Sequence, residues 1–233
     1  MQDQEFVQIC LGMQSYKTKN FSKYLSLGTE TKYFAGEILT PPQCDHYLCY
    51  IAKGGFKFTT AQLDGEVYDL AHLQQGSLIQ FIAHTYENPY MYHSEVVAVE
   101  NSVVVSFSGH QFYQLIQSDE ALFLDLVNSM STYNSMLRER LFLTCNVSSS
   151  QRLLNWLEKL CLSQQPNKDG HYVIKCDLTQ QQIANLLFIH ITTCNKVFAK
   201  LNKEQIASHS RKKITIYDLD KLRFYRDEKL KLL

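Results

Sequence analysis

The chain has 233 residues and 45% of them are hydrophobic, which is enough for one large or two small domains with their own cores. No apolar run approaches the length of a membrane span, and the opening residues, MQDQEFVQICLGM, lack the basic end and apolar stretch of a signal peptide. The formal net charge of zero conceals an asymmetry: residues 1–149 hold 8 Lys/Arg and 15 Asp/Glu, a net of −7, whereas residues 150–233 hold 15 and 8, a net of +7.

This charge distribution is typical of a basic DNA-binding domain attached to a sensor domain. Because no apolar run of membrane-span length and no signal-peptide pattern is present in the sequence, we expect a cytoplasmic protein with no membrane contact. The seven cysteines are scattered without a CxxC pair, which argues against structural zinc and iron–sulfur clusters. Most of these cysteines are expected to be reduced and buried.

The N-terminal half predicts a short helix and then a β-roll. The segment NFSKYLSLG is typical of a helix that ends at Gly28. From Thr31 to Ser108, short apolar runs alternate with turn signals, which favours an antiparallel β-roll or barrel and an α+β fold class. Corners of the roll are predicted at Gly54-Gly55, at Gly76 and at the hairpin turn Asp64-Gly65.

Two helices are predicted after the roll. Ser108 caps the first, GHQFYQLIQ, and a longer helix runs from about Asp119 to Thr144. Mostly apolar residues recur along the longer helix at spacings of 4 and 3, the heptad pattern of a dimerisation helix: Phe123, Val127, Met130, Asn134, Leu137, Leu141 and Thr144. Asn134 would set the register of the helix pair. A flanking apolar set would pack on the roll: Leu122, Leu126, Tyr133 and Met136. The alternative is a helix that lies only on its own roll.

The basic C-terminal part begins after a polar hinge, NVSSS, at residues 146–150. An amphipathic helix, SQRLLNWLEKLCLSQQ, follows it, and a strand pair is predicted around HYVIKCDL. The segment SRKKITIYD reads as a wing in which Ile214 and Ile216 face inward. The chain closes with a helix, DLDKLRFYRDEKLKLL, with Asp218 near its start.

The stretch from Leu178 to Lys203 predicts a helix-turn-helix with Thr179 as the first N-cap and a break at Phe188 and Ile189. The alternative is an ordinary helical hairpin. Small Ala184 is expected where the two helices cross closely. Outward positions of the second helix and cations of the wing form the predicted DNA-binding set: His190, Ile191, Thr192, Thr193, Asn195, Lys196, Lys200, Arg211, Lys212 and Lys213.

A β-roll, a long helix, a hinge and a winged helix-turn-helix, in this order, resemble the Crp/Fnr family of transcription regulators. The resemblance covers roughly residues 20–225 and rests on the glycine corners, HQFYQLI, LTQQQIANLL, TTCNKVFAKL and KKITIYD. The segments LTQQQIA and IYDLDKL and the His-Ile-Thr start of the recognition helix are similar to the halogenated-phenol-responsive regulators of organohalide respiration.

The resemblance implies three parts: an effector-sensing roll at residues 1–118, a dimerisation helix at 119–145 and a DNA-binding domain at 146–233. It also implies a homodimer on a palindromic operator, contacts with RNA polymerase, a small-molecule effector and no enzymatic activity. An effector between roll and long helix would favour one packing of the dimer, and the hinge would pass this choice to the recognition helices.

The sequence departs from the family in two ways. Where the cyclic-AMP-binding members carry a Gly-Glu-Leu turn and an Arg-Ser pair, this chain has Gln80-Phe81-Ile82 and Tyr92-His93, so cyclic AMP is not the expected effector. Phe188 replaces the turn glycine, and Ile191 replaces a frequent arginine, so we expect an unusual DNA target or weaker DNA binding.

Aromatic residues suggest a small, largely apolar or aromatic effector instead. The predicted effector-binding set is Ile79, Phe81, His84, Tyr86, Tyr90, Tyr92, His93, Tyr133 and Leu137. The simpler interpretation of each ring alone is that it belongs to the core.

Two other classes of protein are alternatives to a DNA-binding regulator. A cupin-type metal enzyme needs a His-x-His spacing, which His46, His72, His84 and His93 do not show. A redox switch would join Cys10 to a cysteine such as Cys194, which is expected to be buried on its helix. No catalytic set is evident. We expect no metal and no cofactor, and haem ligation by a histidine is a remote alternative.

Overall fold

The computed structural model describes residues 16–40, 46–61, 67–82, 94–210 and 212–227. The chain forms two compact units, which divide between Leu137 and Arg138. We call residues 14–137 the roll unit and residues 138–233 the DNA-reading unit, and each is described by itself. Within the described ranges, no helix is long and apolar enough to cross a membrane.

Seven strands build the roll: β1 (Thr29–Tyr33), β2 (His46–Lys53), β3 (Gly55–Ala61), β4 (Val67–Gln74), β5 (Leu78–Ile82), β6 (Ser94–Ala98) and β7 (Ser102–Ser108). They form a four-stranded sheet in the order β1-β7-β2-β5 and a three-stranded sheet in the order β4-β3-β6, and every pairing is antiparallel. This confirms the predicted antiparallel roll. β3 and β4 pair as the hairpin prediction requires, although the turn Asp64-Gly65 lies outside the described residues. Gly54 and Gly76 have φ angles of 80° and 92°, which explains why glycine occupies these corners.

Alternation along the strands separates two cores of the roll unit. Cys49 and Ile51 of β2 point into the roll, where they pack with Phe56, Leu73 and Val104. The side chains on the other face of β2 and β7 pack beneath a short 3₁₀ helix (Phe21–Leu27) and two α-helices. This second cluster consists of Phe21, Leu48, Tyr50, Leu78, Val105, Phe107, Leu115, Leu122 and Leu126.

The two helices after the roll are α1 (Gly109–Ser118) and α2 (Glu120–Asn146). Ser108 caps α1 through a capping box with Gln111, which confirms the predicted N-cap. On α2, Leu122, Leu126 and Met136 are buried, as the flanking-set prediction requires. Asp125, also buried, accepts hydrogen bonds from the main-chain N–H of Lys19 and Asn20 at 3.0 and 2.8 Å.

The DNA-reading unit contains α3 (Ser149–Leu162), β8 (Tyr172–Lys175), α4 (Gln180–Leu187), α5 (Ile191–Lys203), β9 (Ala207–Ser210), β10 (Lys213–Ile216) and α6 (Leu219–Asp227). The three strands form a sheet in the order β8-β10-β9. Its helices and strands share one core, with Trp156, Ile183, Val197, Leu201 and Ile214 among the buried residues. This confirms a helix-turn-helix followed by a β-wing.

Two local predictions were wrong. The segment HYVIKCDL was expected to form a strand pair but contains one strand, β8, which pairs with β10 of the wing. The prediction was wrong because the partner of β8 lies about 40 residues further along the chain and not beside it. The hinge predicted at residues 146–150 is shorter, since only Val147 and Ser148 separate α2 from α3. Ser148 starts α3 through a capping box with Gln151, so a polar run that resembled a linker is a helix start.

Candidate DNA-binding surface

Helices α4 and α5 form the reading element of the DNA-reading unit. Thr179 is the N-cap of α4, as predicted from the sequence, and it forms a capping box with Gln182. Ala184 is fully buried in the core that the two helices share, as expected of a small residue near a close helix crossing. Between the helices, Phe188 adopts the left-handed conformation with φ 53°. The N–H of Phe188 donates to the carbonyl oxygens of Ala184 and Asn185, and these hydrogen bonds close the turn.

The predicted base-reading residues fall into two groups by exposure. His190, Thr192, Asn195 and Lys196 are exposed on one side of α5, whereas Ile191 and Thr193 are half-buried. Ile191 packs against the core of the unit, so its side chain faces outward only in part.

His190 has a role that sequence reasoning missed. It is the N-cap of α5, and its Nδ1 atom accepts a hydrogen bond from the N–H of Thr192 at 3.1 Å. Because Nδ1 is the acceptor, Nε2 carries the hydrogen of the neutral ring.

Cations lie beside the reading helix. Lys212 and Lys213 are exposed in the wing, and Arg211 lies outside the described residues. Lys212 adopts a φ of 74° in the wing turn, and its carbonyl accepts from the N–H of Cys176 at 3.0 Å. Lys200 is half-buried, with its Nζ 5.2 Å from the centre of the Tyr225 ring, so it is less exposed than the sequence suggested.

Two arginines donate hydrogen bonds to the main chain at the end of α4 and in the turn between α4 and α5. Arg152 in α3 donates to the carbonyl oxygens of Leu187 and Phe188 at 3.1 and 2.6 Å. Arg140 in the last turns of α2 donates to Leu186 O at 2.5 Å, and its guanidinium lies 4.4 Å from the centre of the Phe188 ring.

Arg152 also binds the end of α2. It donates to the carbonyl oxygens of Leu143, Thr144 and Val147 at 3.4, 3.2 and 2.8 Å. Burial lowers the pKa of its guanidinium. One side chain therefore joins the C-terminal ends of α2 and α4, and sequence reasoning gave no signal of this because its acceptors are main-chain atoms.

The predicted effector set is only partly described. Phe81 lies on β5, but its side chain, like His84, Tyr86, Tyr90, Tyr92 and His93, lies outside the described residues. Ile79 is buried inside the roll. Tyr133 is half-buried with its ring centre 6.2 Å from that of Phe58, and Leu137 is exposed. The aromatic pocket therefore stays a prediction.

The predicted dimerisation seam of α2 is open in the single chain. Its apolar members range from 36% exposed at Leu137 to 64% exposed at Leu141, and Asn134 and Thr144 are exposed as well. An exposed apolar row beside a buried one is the arrangement expected of a helix that packs on its own unit and also has a partner.

Most of the described cysteines are buried. Cys194 is fully buried, and burial raises the pKa of its thiol to about 12, so it is not a reactive thiolate. Cys49, Cys161 and Cys176 are buried too, whereas Cys145 is exposed. Cys10 lies outside the described residues. In the described ranges, no group of three His, Cys, Asp or Glu could hold a metal ion.

Two family models match the chain. A Crp-like helix-turn-helix domain matches residues 151–225, and a cyclic nucleotide-binding domain matches residues 31–119. No curated protein sequence matches the chain.

Solved structures share the fold at low identity. CprK complexed with OCPA superposes with a TM-score of 0.71 at 20% identity, over 88% of this chain and 94% of that chain. A variant of CooA from Carboxydothermus hydrogenoformans gives 0.70 at 16% identity, over 90% and 93%. The c-di-GMP-responsive regulator CLP from Xanthomonas campestris gives 0.68 at 13% identity, over 84% and 97%. At these identities the similarity concerns the fold alone.

Proposed function

Because this chain belongs to the Crp/Fnr family of transcription regulators, an effector-responsive and non-enzymatic class of DNA-binding protein, we propose a specific way in which it works. It is a cytoplasmic homodimer that binds a palindromic operator, contacts RNA polymerase and senses a small aromatic molecule rather than a cyclic nucleotide. One observation carries this proposal: the exposed polar side of α5 stands beside an exposed cationic wing, and both belong to residues 150–233, which have a net charge of +7.

Base reading is assigned to the exposed part of α5. Lys196 and Asn195 contact base edges in the major groove, the exposed His190 contacts DNA at the helix start, and Thr192 and Thr193 add short hydroxyl groups. Ile191 contributes only the exposed part of its side chain, against a thymine methyl group. Lys200, Arg211, Lys212 and Lys213 contact phosphate groups.

DNA selected from a random pool by the purified protein supplies the operator for the test. Lys196→Ala should weaken binding to that operator by about 1–3 kcal/mol and relax specificity at one base pair. Lys213→Ala should weaken binding to operator and random DNA alike and reduce the slope of log K against log salt by about 1. Lys168→Ala, the same charge change at an exposed position outside α5 and the wing, is the control. Equal effects of all three variants would contradict the assignment.

The dimer is proposed to form through the open seam of α2. Leu141 and Leu124 are both exposed leucines of α2, at 64% and 54%, but only Leu141 belongs to the seam. Leu141→Glu should therefore give a monomer in sedimentation velocity, because it introduces charge into an apolar contact, while Leu124→Glu should stay dimeric. A monomeric wild-type protein at micromolar concentration would exclude this part of the proposal.

The effector is proposed to be a small aromatic molecule, supported by the ring-rich predicted set and by the absence of the family's charged anchors at Gln80-Phe81-Ile82 and Tyr92-His93. A CprK structure of the same fold is complexed with OCPA, although the identity is too low to transfer that ligand. A thermal-shift screen of phenols, aromatic acids and cyclic nucleotides should show stabilisation by an aromatic compound. Stabilisation by nucleotides alone would refute the proposal.

A further inference from the structure

A cavity of about 460 Å³ lies within the DNA-reading unit, among the last turns of α2, helix α3 and the turn before α5. Sites for small molecules have volumes of about 300–1,000 Å³, so this cavity is large enough for one. Much of its wall is apolar, from Leu143, Trp156, Leu162, Leu186 and Phe188. Its lining residues belong neither to the predicted base-reading set nor to the predicted effector-binding set.

The charged groups of the wall have one dominant sign. Arg140, Arg152, Lys159 and Arg226 line the cavity together with a single acidic residue, Glu158. Glu158 is already neutralised, because Arg223 lies 2.8 Å from its Oε1 atom and Arg226 pairs with its Oε2 atom. Lys159 pairs with Glu139 at 3.6 Å, and Arg226 also pairs with Asp227 at 2.7 Å. The positive excess of the wall is therefore carried by Arg152, and Arg140 adds a second guanidinium to the same wall.

Arg152 is half-buried, and six hydrogen bonds hold its guanidinium in place. Its guanidinium donates to five main-chain carbonyl oxygens and to the hydroxyl of Ser149, all of them uncharged. Carbonyl oxygens satisfy the N–H groups but carry no full charge. In a half-buried site such a cation attracts an anion more strongly than it would in water.

We propose that this cavity binds a small organic carboxylate with a ring-sized apolar body. The ring lies against Trp156 and Phe188, and the carboxylate lies on the side of Arg140 and Arg152. This ligand is distinct from the effector proposed for the roll. Because Leu186 and Phe188 belong to the turn of the reading element, the bound carboxylate acts on the position of α5 and hence on DNA affinity.

Phenylacetate and 2-phenylethanol are suitable probes for the full-length chain, since they share a ring and a two-carbon arm but only one of them is charged. In saturation-transfer NMR and calorimetry, phenylacetate should bind with a dissociation constant of roughly millimolar order, as expected for ten heavy atoms. 2-Phenylethanol should bind at least about tenfold more weakly, because it lacks the charge-assisted contact. Equal binding of the two compounds, or no binding of phenylacetate, overturns the proposal.

Matched variants locate the binding. Arg140→Gln removes a charge from the wall and should weaken phenylacetate at least about fivefold, whereas Arg138→Gln, an exposed position outside the cavity, should not. Leu162 is 67% exposed, so Leu162→Trp should fold while it narrows the cavity and reduces binding. Tyr133→Ala in the roll unit should leave binding unchanged. Loss of binding in Tyr133→Ala with retention in Arg140→Gln and Leu162→Trp overturns the proposal and leaves the DNA-binding proposal untouched.

Discussion

Two charged residues, the buried Asp125 and the half-buried Arg152, fasten helix α2, and they do so in opposite ways. Asp125 in the roll unit is an acceptor: it binds the N–H groups of Lys19 and Asn20, and Tyr16 Oη donates to it at 3.1 Å. Arg152 in the DNA-reading unit is a donor to carbonyl groups at the ends of α2 and α4.

The difference follows from which end of a helix is being bound. Lys19 and Asn20 precede the 3₁₀ helix, where N–H groups lack partners within the helix, so an anion satisfies them. The last carbonyl groups of α2 and α4 lack partners for the opposite reason, so a cation satisfies them. The sign of each fastening residue is thus set by the main chain that it faces.

The largest effect is expected from Arg152→Met. Loss of the guanidinium leaves carbonyl groups of two helices without a donor, which should lower the free energy of unfolding of the DNA-reading unit by about 3 kcal/mol. The only tryptophan, Trp156, is 2% exposed in this unit, so its fluorescence during denaturation reports this change. Arg138→Met is the control. A variant within about 0.5 kcal/mol of wild type would mean that the carbonyl groups have other donors.

A smaller loss is expected from Asp125→Ala. It removes the acceptor of two main-chain N–H groups and the Tyr16 hydroxyl, which should cost the roll unit about 2 kcal/mol. Hydrogen exchange at Lys19 and Asn20 should become faster. If the two fastenings are independent, the Trp156 transition should not move, and a shift of that transition would show that the units unfold together.

Two substitutions of Phe188 separate its ring contact with Arg140 from the strain of its left-handed backbone. Phe188→Leu keeps the left-handed φ but loses the Arg140–ring contact, so it should lower stability by roughly 0.5–1 kcal/mol. Phe188→Gly loses the same contact and relieves backbone strain of about 1 kcal/mol, so it should be more stable than Phe188→Leu. Thermal midpoints of the two variants compare them, and the reverse order would mean that the phenyl ring contributes mainly through packing.

The smallest effect concerns pH. Burial alone would raise the pKa of Asp69 in β4, but hydrogen bonds and charge from His72 and Lys57 lower it below its usual value. Its contribution is therefore complete above the unfolded pKa of about 4 and is lost as the pH falls through the lower folded value. Between pH 6 and pH 3, wild type should lose about 0.5 kcal/mol more than Asp69→Asn, measured by circular dichroism. Arg152 stays charged throughout this range, so its fastening has no such dependence.

Local patterns explain what the sequence could predict. The heptad spacing correctly assigned Leu141 to the exposed row of α2 and left Leu126 in the buried row. Ser108 and Thr179 predicted helix starts because their hydroxyl groups can accept from main-chain N–H groups. The reading element was predictable for the same reason, because its apolar period and its caps are local.

Non-local main-chain contacts explain what it could not. Arg152 reaches Phe188 across 36 residues, and no side-chain pattern marks an acceptor that every residue possesses. The pairing of β8 with the wing is equally distant in sequence. At residues 146–150 a signal was present, Ser148 followed by Gln151, but it was obscured by the polar composition of the run.

The capping boxes of α1, α3 and α4 share one choice of residue. Each closes with a glutamine, Gln111, Gln151 or Gln182, where glutamate is the common alternative. A glutamate would lose its charge in acid and, with it, its attraction to the positive end of the helix. Glutamine does not ionise, so these three helix starts keep the same hydrogen bonds at any pH that the fold survives. Acid unfolding should therefore begin at carboxylates such as Asp69, and the helix starts should be among the last structures to open.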